Sequence, residues 1–321
     1  MGKEVTSENT LTWRIKTKAR ELGFSSVGIA RAESLEPEGV RLQQWLARGF
    51  HGTMAWMQKN PEKRSDPRQI LPNARSVISL ALNYYTPVEH SNDPETGKIS
   101  RYAWGDDYHD VMTPRIQQLV GCIKSERPEV NARFYVDTGP VLDKAWAVRA
   151  GVGWLGKHTN VITKEYGSWV FLGEIILDVE LDYDEPLTDF CGTCTACIEA
   201  CPTQAIIEPY VLDSTKCLSY LTIEHKGPIP DELKPGFNRW IYGCDICQDV
   251  CPWNRFQKPT AEDSFFPRTE NVKPRLEDLE KISAEEFARR FKKSPIKRTK
   301  REGIVRNAKA VQEGKRIRRA T

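Results

Sequence analysis

Cys191-Gly-Thr-Cys194-Thr-Ala-Cys197-Ile-Glu-Ala-Cys201-Pro202 is the stretch on which the reading of the fold turns. Its C-x2-C-x2-C-x3-C-P spacing holds iron–sulfur clusters in bacterial two-cluster ferredoxins, where the fourth cysteine of a run ligates the other cluster. A second run, Cys244-Asp-Ile-Cys247-Gln-Asp-Val-Cys251-Pro252, repeats the latter part of the pattern. A full copy would carry a cysteine at 241, where Ile241 stands, and Cys217 is the spare cysteine nearby. Giving Cys217 the vacant place and crossing the fourth ligands assigns Cys191, Cys194, Cys197 and Cys251 to one cluster. Cys201, Cys217, Cys244 and Cys247 then hold the other. The proline after each fourth cysteine lacks an N–H and breaks the preceding turn.

Two blander readings lose to this one. Disulfides are disfavoured because the chain opens on a polar stretch of mixed charge rather than a secretory signal. Zinc prefers paired C-x2-C ligands, and the triple run followed by proline is not its habit. Cys122, within Leu119-Val-Gly-Cys-Ile123, reads as a core thiol. One-electron transfer is therefore the expected chemistry.

Around this core the 321 residues suffice for a large domain and one or two smaller ones. The composition, 39% hydrophobic and 28% charged, is that of a soluble globular protein. No apolar run approaches the ~20 residues of a membrane span, so no membrane partner is expected, and abundant reduced cysteine fits the cytoplasm. Residues 292–321 hold twelve Lys or Arg and two Glu, a balance of +10 that leaves −7 elsewhere, given the net +3. Such an end suggests a polyanionic partner, nucleic acid first, against the plain alternative of a solvated tail.

Hydrophobic periodicity predicts helices over 8–23 (Leu11, Ile15, Ala19 and Leu22 on one face), 111–125, 141–150 and 283–292, the last opened by a capping box at Ser283-Ala-Glu-Glu286. Strands are expected at 26–30, 76–85 and 132–136, with a hairpin of 160–163 and 168–177 turned at Tyr166-Gly167. Residues 88–100 read as an exposed loop. Ile304, Val305, Ala308 and Val311 make 292–319 a candidate basic amphipathic helix. Strands alternating with helices over 1–180 argue for an α/β or α+β sheet domain. The chain divides into a sheet region 1–183, a cluster region 184–258 scaffolded by metal rather than an apolar core, and a helical basic segment 259–321.

Nucleotide signatures are missing: neither G-x-G-x-x-G nor G-x4-G-K-[ST] occurs, nor does a radical-SAM C-x3-C-x2-C run. Asp107-Tyr-His109 begins like a D-x-H-x-x-G corrinoid motif, but Met112 takes the place of its glycine. Asp137-Thr-Gly139 is a single copy, whereas aspartic-protease chemistry needs two carboxylates. Read from the residues alone, Asp137 is a turn former at a strand end, a position where α/β sheets also place ligand groups. His109 is then a satisfied structural histidine.

The ordered set Arg101-Tyr-Ala-Trp-Gly-Asp-Asp-Tyr-His109, Tyr135-Val-Asp-Thr-Gly-Pro140, Gly151-Val-Gly-Trp-Leu-Gly-Lys157, Ser168-Trp-Val-Phe-Leu-Gly-Glu174, Cys217-Leu-Ser-Tyr-Leu-Thr-Ile-Glu224 and Gly243-Cys-Asp-Ile-Cys-Gln-Asp-Val-Cys-Pro252 resembles the epoxyqueuosine reductase family over nearly the whole chain. The resemblance implies a nitroreductase-like cobalamin domain beside a ferredoxin-like domain, as in reductive dehalogenases. It implies cobalamin and two 4Fe-4S clusters, and reduction of epoxyqueuosine to queuosine at the wobble position of tRNA. It makes Asp137 the proton donor, with Tyr108 and His109 in the same cavity and Tyr102 beside them. Lys157 and Ser168 would border the cobalamin, and Ser219 would set the second cluster against it. The family binds cobalamin with its lower base detached, so the missing corrinoid glycine loses its importance. Lys297, Arg298, Lys300, Arg301 and Arg306 fall in the region that approaches tRNA, with the Lys315-Arg-Ile-Arg-Arg319 run adding to it. A separate reductant protein and a monomeric state are expected. Removing an epoxide oxygen as water takes two electrons and two protons, so an acid near the opening oxygen is required. That acid must be kept protonated near neutral pH by burial or a like charge. The alternatives are a reductive dehalogenase-like corrinoid enzyme acting on a small molecule, and an electron-transfer protein without chemistry of its own. The latter leaves the region before the clusters, and the basic end, unexplained.

Overall fold

The structure is a computed structural model that describes residues 10–320; residues 1–9 and 321, including the start of the expected first helix and of the polar opening stretch, lie outside it. Helix α1 (Leu11–Glu21) opens where the Thr10 hydroxyl accepts the Trp13 N–H at 3.2 Å, and it buries Thr12, Ile15 and Ala19. Four strands make the main sheet: β1 (Ser26–Arg31), β2 (Ser76–Asn83), β3 (Ala132–Tyr135) and β4 (Val170–Leu177). Their order is β1-β2-β4-β3 and every pairing is antiparallel.

Every residue of β2 is buried because both faces of the sheet are covered. Ile78, Leu80 and Leu82 pack with Ile15 and Ala19 of α1 and with Met112, Ile116 and Leu119 of α2 (Tyr108–Glu126). Val77 and Ala81 point the other way, onto Trp146 and Ala147 of α3 (Asp143–Arg149). The same two-sided burial overturns the expected hairpin. Val161–Ile162 pairs instead with Trp154–Leu155, and β4 inserts between β2 and β3. A strand apolar on both faces gains more at the centre of a sheet than at the edge of a hairpin.

The expected coreless cluster region is also corrected. Leu218 and Leu221 of α4 (Leu218–Ile223), with Phe237, Trp240 and Tyr242, share a core with Leu276, Phe291, Ile296, and Ile304 and Ala308 of α5 (Lys300–Ala320). Ile241, standing where a cysteine would complete the second run, is fully buried in that core, and its carbonyl accepts from Asn307 Nδ2 at 2.8 Å. The basic end is thus a packed helix rather than a solvated tail. Trp240–Tyr242 pairs in parallel with Lys98–Ile99, so only the first part of the expected 88–100 loop is exposed and Thr96, Ile99 and Ser100 are buried. The Ser283 cap is present: its hydroxyl accepts from Glu286 N at 3.1 Å. Among the described residues no helix is long and apolar enough to cross a membrane.

Candidate active site and cluster ligands

Asp137 lies just past the end of β3, in the left-handed region at φ 57°, a conformation aspartate tolerates better than most residues. The turn continues through Gly139, where an added Cβ would lie 2.3 Å from the Tyr135 ring. This turn delivers Asp137 to a cavity of about 1120 Å³. Tyr108, the first residue of α2, lines the same cavity and donates its hydroxyl to Asp137 Oδ2 at 2.7 Å. Its ring is stacked on Phe171 of β4, centroids 4.3 Å apart and planes 9° apart. Burial, then the negative charge of Asp137, hold the Tyr108 phenol well above its usual pKa. It is therefore a neutral donor over the working pH range.

His109 stacks on the other side of Tyr108 and places Nδ1 2.7 Å from Asp107 Oδ1. Burial pushes the imidazole down, but the hydrogen bond and charge of Asp107 outweigh it and leave the pKa raised. Its Nε2 is buried without a partner. Tyr102, also in the wall, makes an edge contact with Tyr108. Ser168 lines the cavity and is anchored: its N–H donates to Asn254 Oδ1 at 2.7 Å, and its Oγ accepts from Gln248 Nε2 and Asn254 Nδ2, both at 3.1 Å. Gln248 and Asn254 flank Cys251, so β4 is tied to the second cysteine run. Sequence reasoning missed both, although Gln248 and Asn254 sit within or beside that motif.

The eight thiols sort into two sets. Cys191, Cys194, Cys197 and Cys251 surround a separate cavity of about 130 Å³. Burial pushes the Cys197 thiol up to about 11, and Cys251, Cys191 and Cys194 add to it. Cys201, Cys217, Cys244 and Cys247 stand in the wall of the large cavity, with Ser219. Burial pushes Cys247 up, followed by Cys217, Cys201 and Cys197. Cys197 belongs to the first set, so the two sets are electrostatic neighbours. Among the described residues no three Cys, His, Asp or Glu side chains converge closely enough to hold a single metal ion. Four thiols spread around a cavity fit a cluster better than one zinc ion.

Several expected site residues fall elsewhere. Lys157 is absent from the large cavity; its Nζ donates to the carbonyls of Gly192 (2.6 Å) and Cys194 (2.9 Å) and braces the first cluster's loop. Lys297 and Arg298 do line the large cavity, joined by Lys293, and Arg298 is paired with Glu224. Lys300 is exposed but outside the cavity. Arg301 donates to Ile282 O at 2.7 Å. Arg306 spends its guanidinium on the carbonyls of Leu221 (2.8 Å), Gly227 (3.1 Å) and His225 and on Asn307 Oδ1. Arg301 and Arg306 hold the fold together, because carbonyls left by neighbouring turns need donors. Lys315 and Arg318 likewise bond the carbonyls of Pro94 and Pro235.

A family model described as "Epoxyqueuosine reductase QueG, DUF1730" matches residues 64–138, and one described as "4Fe-4S double cluster binding domain" matches residues 190–254. An epoxyqueuosine reductase of Cellulophaga algicola is 51% identical over 293 residues, 91% of this chain and 95% of that protein. The chain belongs to the epoxyqueuosine reductase family. A crystal structure of a family member with an epoxyqueuosine-modified tRNA-Tyr stem loop superposes with a TM-score of 0.87 at 33% identity, covering 93% of this chain and 80% of that one. The Bacillus subtilis member, solved with its catalytic aspartate loop swung out of the active site, gives 0.87 at 32% identity over the same shares. The second family model spans all the assigned cysteines, and a double 4Fe-4S region is what the two thiol sets require.

Proposed function

We propose that this chain reduces the epoxide of epoxyqueuosine in tRNA to the alkene of queuosine. One observation carries the reading: a single cavity has in its wall both the four thiols of one cluster set and the Asp137–Tyr108 pair. Electrons and a proton are thereby offered to one space. A mere electron carrier has no use for a cavity of that size beside its cluster.

The cavity also suits the large cofactor the family implies. Its volume exceeds that of most small-molecule sites, and aromatic and aliphatic side chains such as Tyr84, Phe171 and Val161 form much of its wall. His109 Nε2 and His158 Nε2 belong to lining residues and have no partner. Unpaired polar atoms in an apolar wall fit the amide-fringed rim of a corrin. Tyr102, Ser168 and Ser219 are the side chains we assign to holding it. Cobalamin, when bound, supplies a low-potential metal centre for delivering electrons to the epoxide.

The chain's own residues do the rest. Asp137 gives its proton to the oxygen as the epoxide opens. Tyr108, remaining neutral, donates to the carboxylate that is left and keeps it in place. His109 and Asp107 fix the other side of the Tyr108 ring. Lys293, Lys297 and Arg298 at the cavity wall contact the phosphates flanking the modified base. We keep the division into regions 1–183, 184–258 and 259–321, with the last wrapped onto the second. A separate reductant protein feeding the first cluster, a monomer and a cytoplasmic site of action complete the reading.

The test uses purified protein with both clusters, cobalamin, a chemical reductant and tRNA bearing epoxyqueuosine. Nucleoside analysis should show queuosine. Cobalamin uptake without conversion would favour a dehalogenase-like corrinoid enzyme, and no uptake at all would refute both.

A further inference from the structure

Behind the Asp137 turn lie two carboxyls that the mechanism above does not use. Glu174 sits on β4, opposite Ser79 of β2 and Tyr135 of β3, and is 0% exposed. Asp143, the first residue of α3, lines the large cavity and stands close enough to Glu174 for the two carboxyls to act on one another's proton affinity. Asp143 Oδ1 and Glu174 Oε2 are both buried and without a donor. The donor Glu174 does have is the Ser79 hydroxyl, at 3.5 Å from Oε1.

The nearby cations are committed elsewhere. Lys144 donates to Thr159 O and Asn160 Oδ1, and Arg64 to the carbonyls of Lys59 and Trp56. No ion pair reaches either carboxyl among the described residues. Two neighbouring carboxyls with buried, unpaired oxygens and no cation resist being charged together; one proton between them turns a repulsion into a hydrogen bond. The other acidic group bearing on both is Asp137.

We propose that Asp143 and Glu174 share one proton and serve as the reserve that re-protonates Asp137 during turnover. The proposal rests on the reading of Asp137 as proton donor. The epoxide takes two electrons and two protons and yields an alkene and water. Asp137 passes one proton to the opening oxygen, receives the shared proton through the cavity that it and Asp143 both line, and passes it to the leaving hydroxyl. The pair takes up a replacement proton from solvent as it gives one up, so the two carboxyls are not left charged together. Burial, then the Asp143 carboxyl, hold the Glu174 proton well above the usual carboxylate range, and burial raises Asp143, with Asp137 adding to it. The store thus remains charged at neutral pH. Asp143 and Glu174 act through Asp137 and are positioning residues.

Glu174→Gln and Asp143→Asn keep shape and replace the shared proton with an amide donor. The first readout needs no substrate: infrared difference spectra of the folded protein above neutral pH should show a protonated-carboxyl band that each variant loses. A wild-type protein without that band overturns the proposal. The second is turnover: each variant should lose roughly tenfold in kcat with KM for tRNA unchanged, and the alkaline limb of the pH profile should move to lower pH. Unchanged kcat and pH profile in both variants, with iron content and thermal unfolding intact, overturn the proposal even if the band is present. Asp137→Asn separates the two levels. If it is inactive while the pair variants match wild type, only the reserve fails; if it turns over normally, the donor assignment itself fails.

Discussion

The two thiol sets share one ligand chemistry and differ in everything around it. Cys191, Cys194, Cys197 and Cys251 enclose a small cavity walled by Trp253 and Phe190, and Cys194 and Phe190 are exposed. Cys201, Cys217, Cys244 and Cys247 stand in the wall of the large cavity together with Asp137 and Tyr108. Spacing of cysteines specifies a cluster, whereas neighbours specify its task. The first set has an exposed member, whereas the second lines the large cavity.

Removing one ligand from each set is the severest way to break this contrast. Cys247→Ala and Cys194→Ala should each lose about half of the bound iron, since each empties one of two clusters. Cys247→Ala should abolish reduction with any electron source. Cys194→Ala should keep measurable reduction with a small-molecule reductant and lose it with a protein reductant. Identical behaviour of the two variants would erase the distinction between entry and delivery.

Tyr108→Phe should lower kcat by roughly ten- to a hundredfold while both clusters stay intact, because it removes a single donor to Asp137 and leaves the Phe171 stack. An unchanged kcat would detach Tyr108 from the chemistry.

A parallel contrast runs through the basic end. Arg306→Ala should cost on the order of 2 kcal/mol of stability, by orphaning buried carbonyls, and leave the salt dependence of tRNA binding alone. Lys297→Ala and Arg298→Ala should do the reverse, each reducing the slope of log affinity against log salt by roughly 0.7. Thermal unfolding and binding titrations over a salt series read the two effects. A flat salt response in the wild-type protein would remove the phosphate role.

The smallest effect concerns pH and stability. Glu174 binds its proton more tightly folded than unfolded, where the ordinary value is 4.5. Its contribution is therefore fully present below that value and is lost as pH rises through the folded pKa. Glu174→Gln should flatten the alkaline fall in stability by roughly 1 kcal/mol, as measured by denaturant unfolding across the pH range.

The legible and illegible parts of the site differ in kind. The cluster region could be read because ligation demands one residue type at fixed chain spacing, and that region spans every cysteine of the two runs and Cys217. Asp137, Tyr108 and His109 stood out only as pieces of an ordered motif set; residue by residue they looked like a turn former and a structural histidine. The surroundings of Lys157 and Arg306 were not legible because a cation's role depends on which acceptors reach it. Those acceptors, Gly192 and Cys194 in one case and Leu221, His225 and Gly227 in the other, come from distant segments. The hairpin failed because strand pairing of β4 was settled by burial on both faces, not by the nearest turn.

By itself, then, the sequence determined the metal chemistry, the mixed α+β character and the family, since each is written in residue identity and local period. Tertiary structure alone decided that Ile241 serves a core rather than a cluster, that the basic end is a packed helix, and that Asp143 meets Glu174. Those facts depend on what surrounds a side chain once remote segments have closed over it, and burial, which sets both packing and proton affinity, exists only after folding.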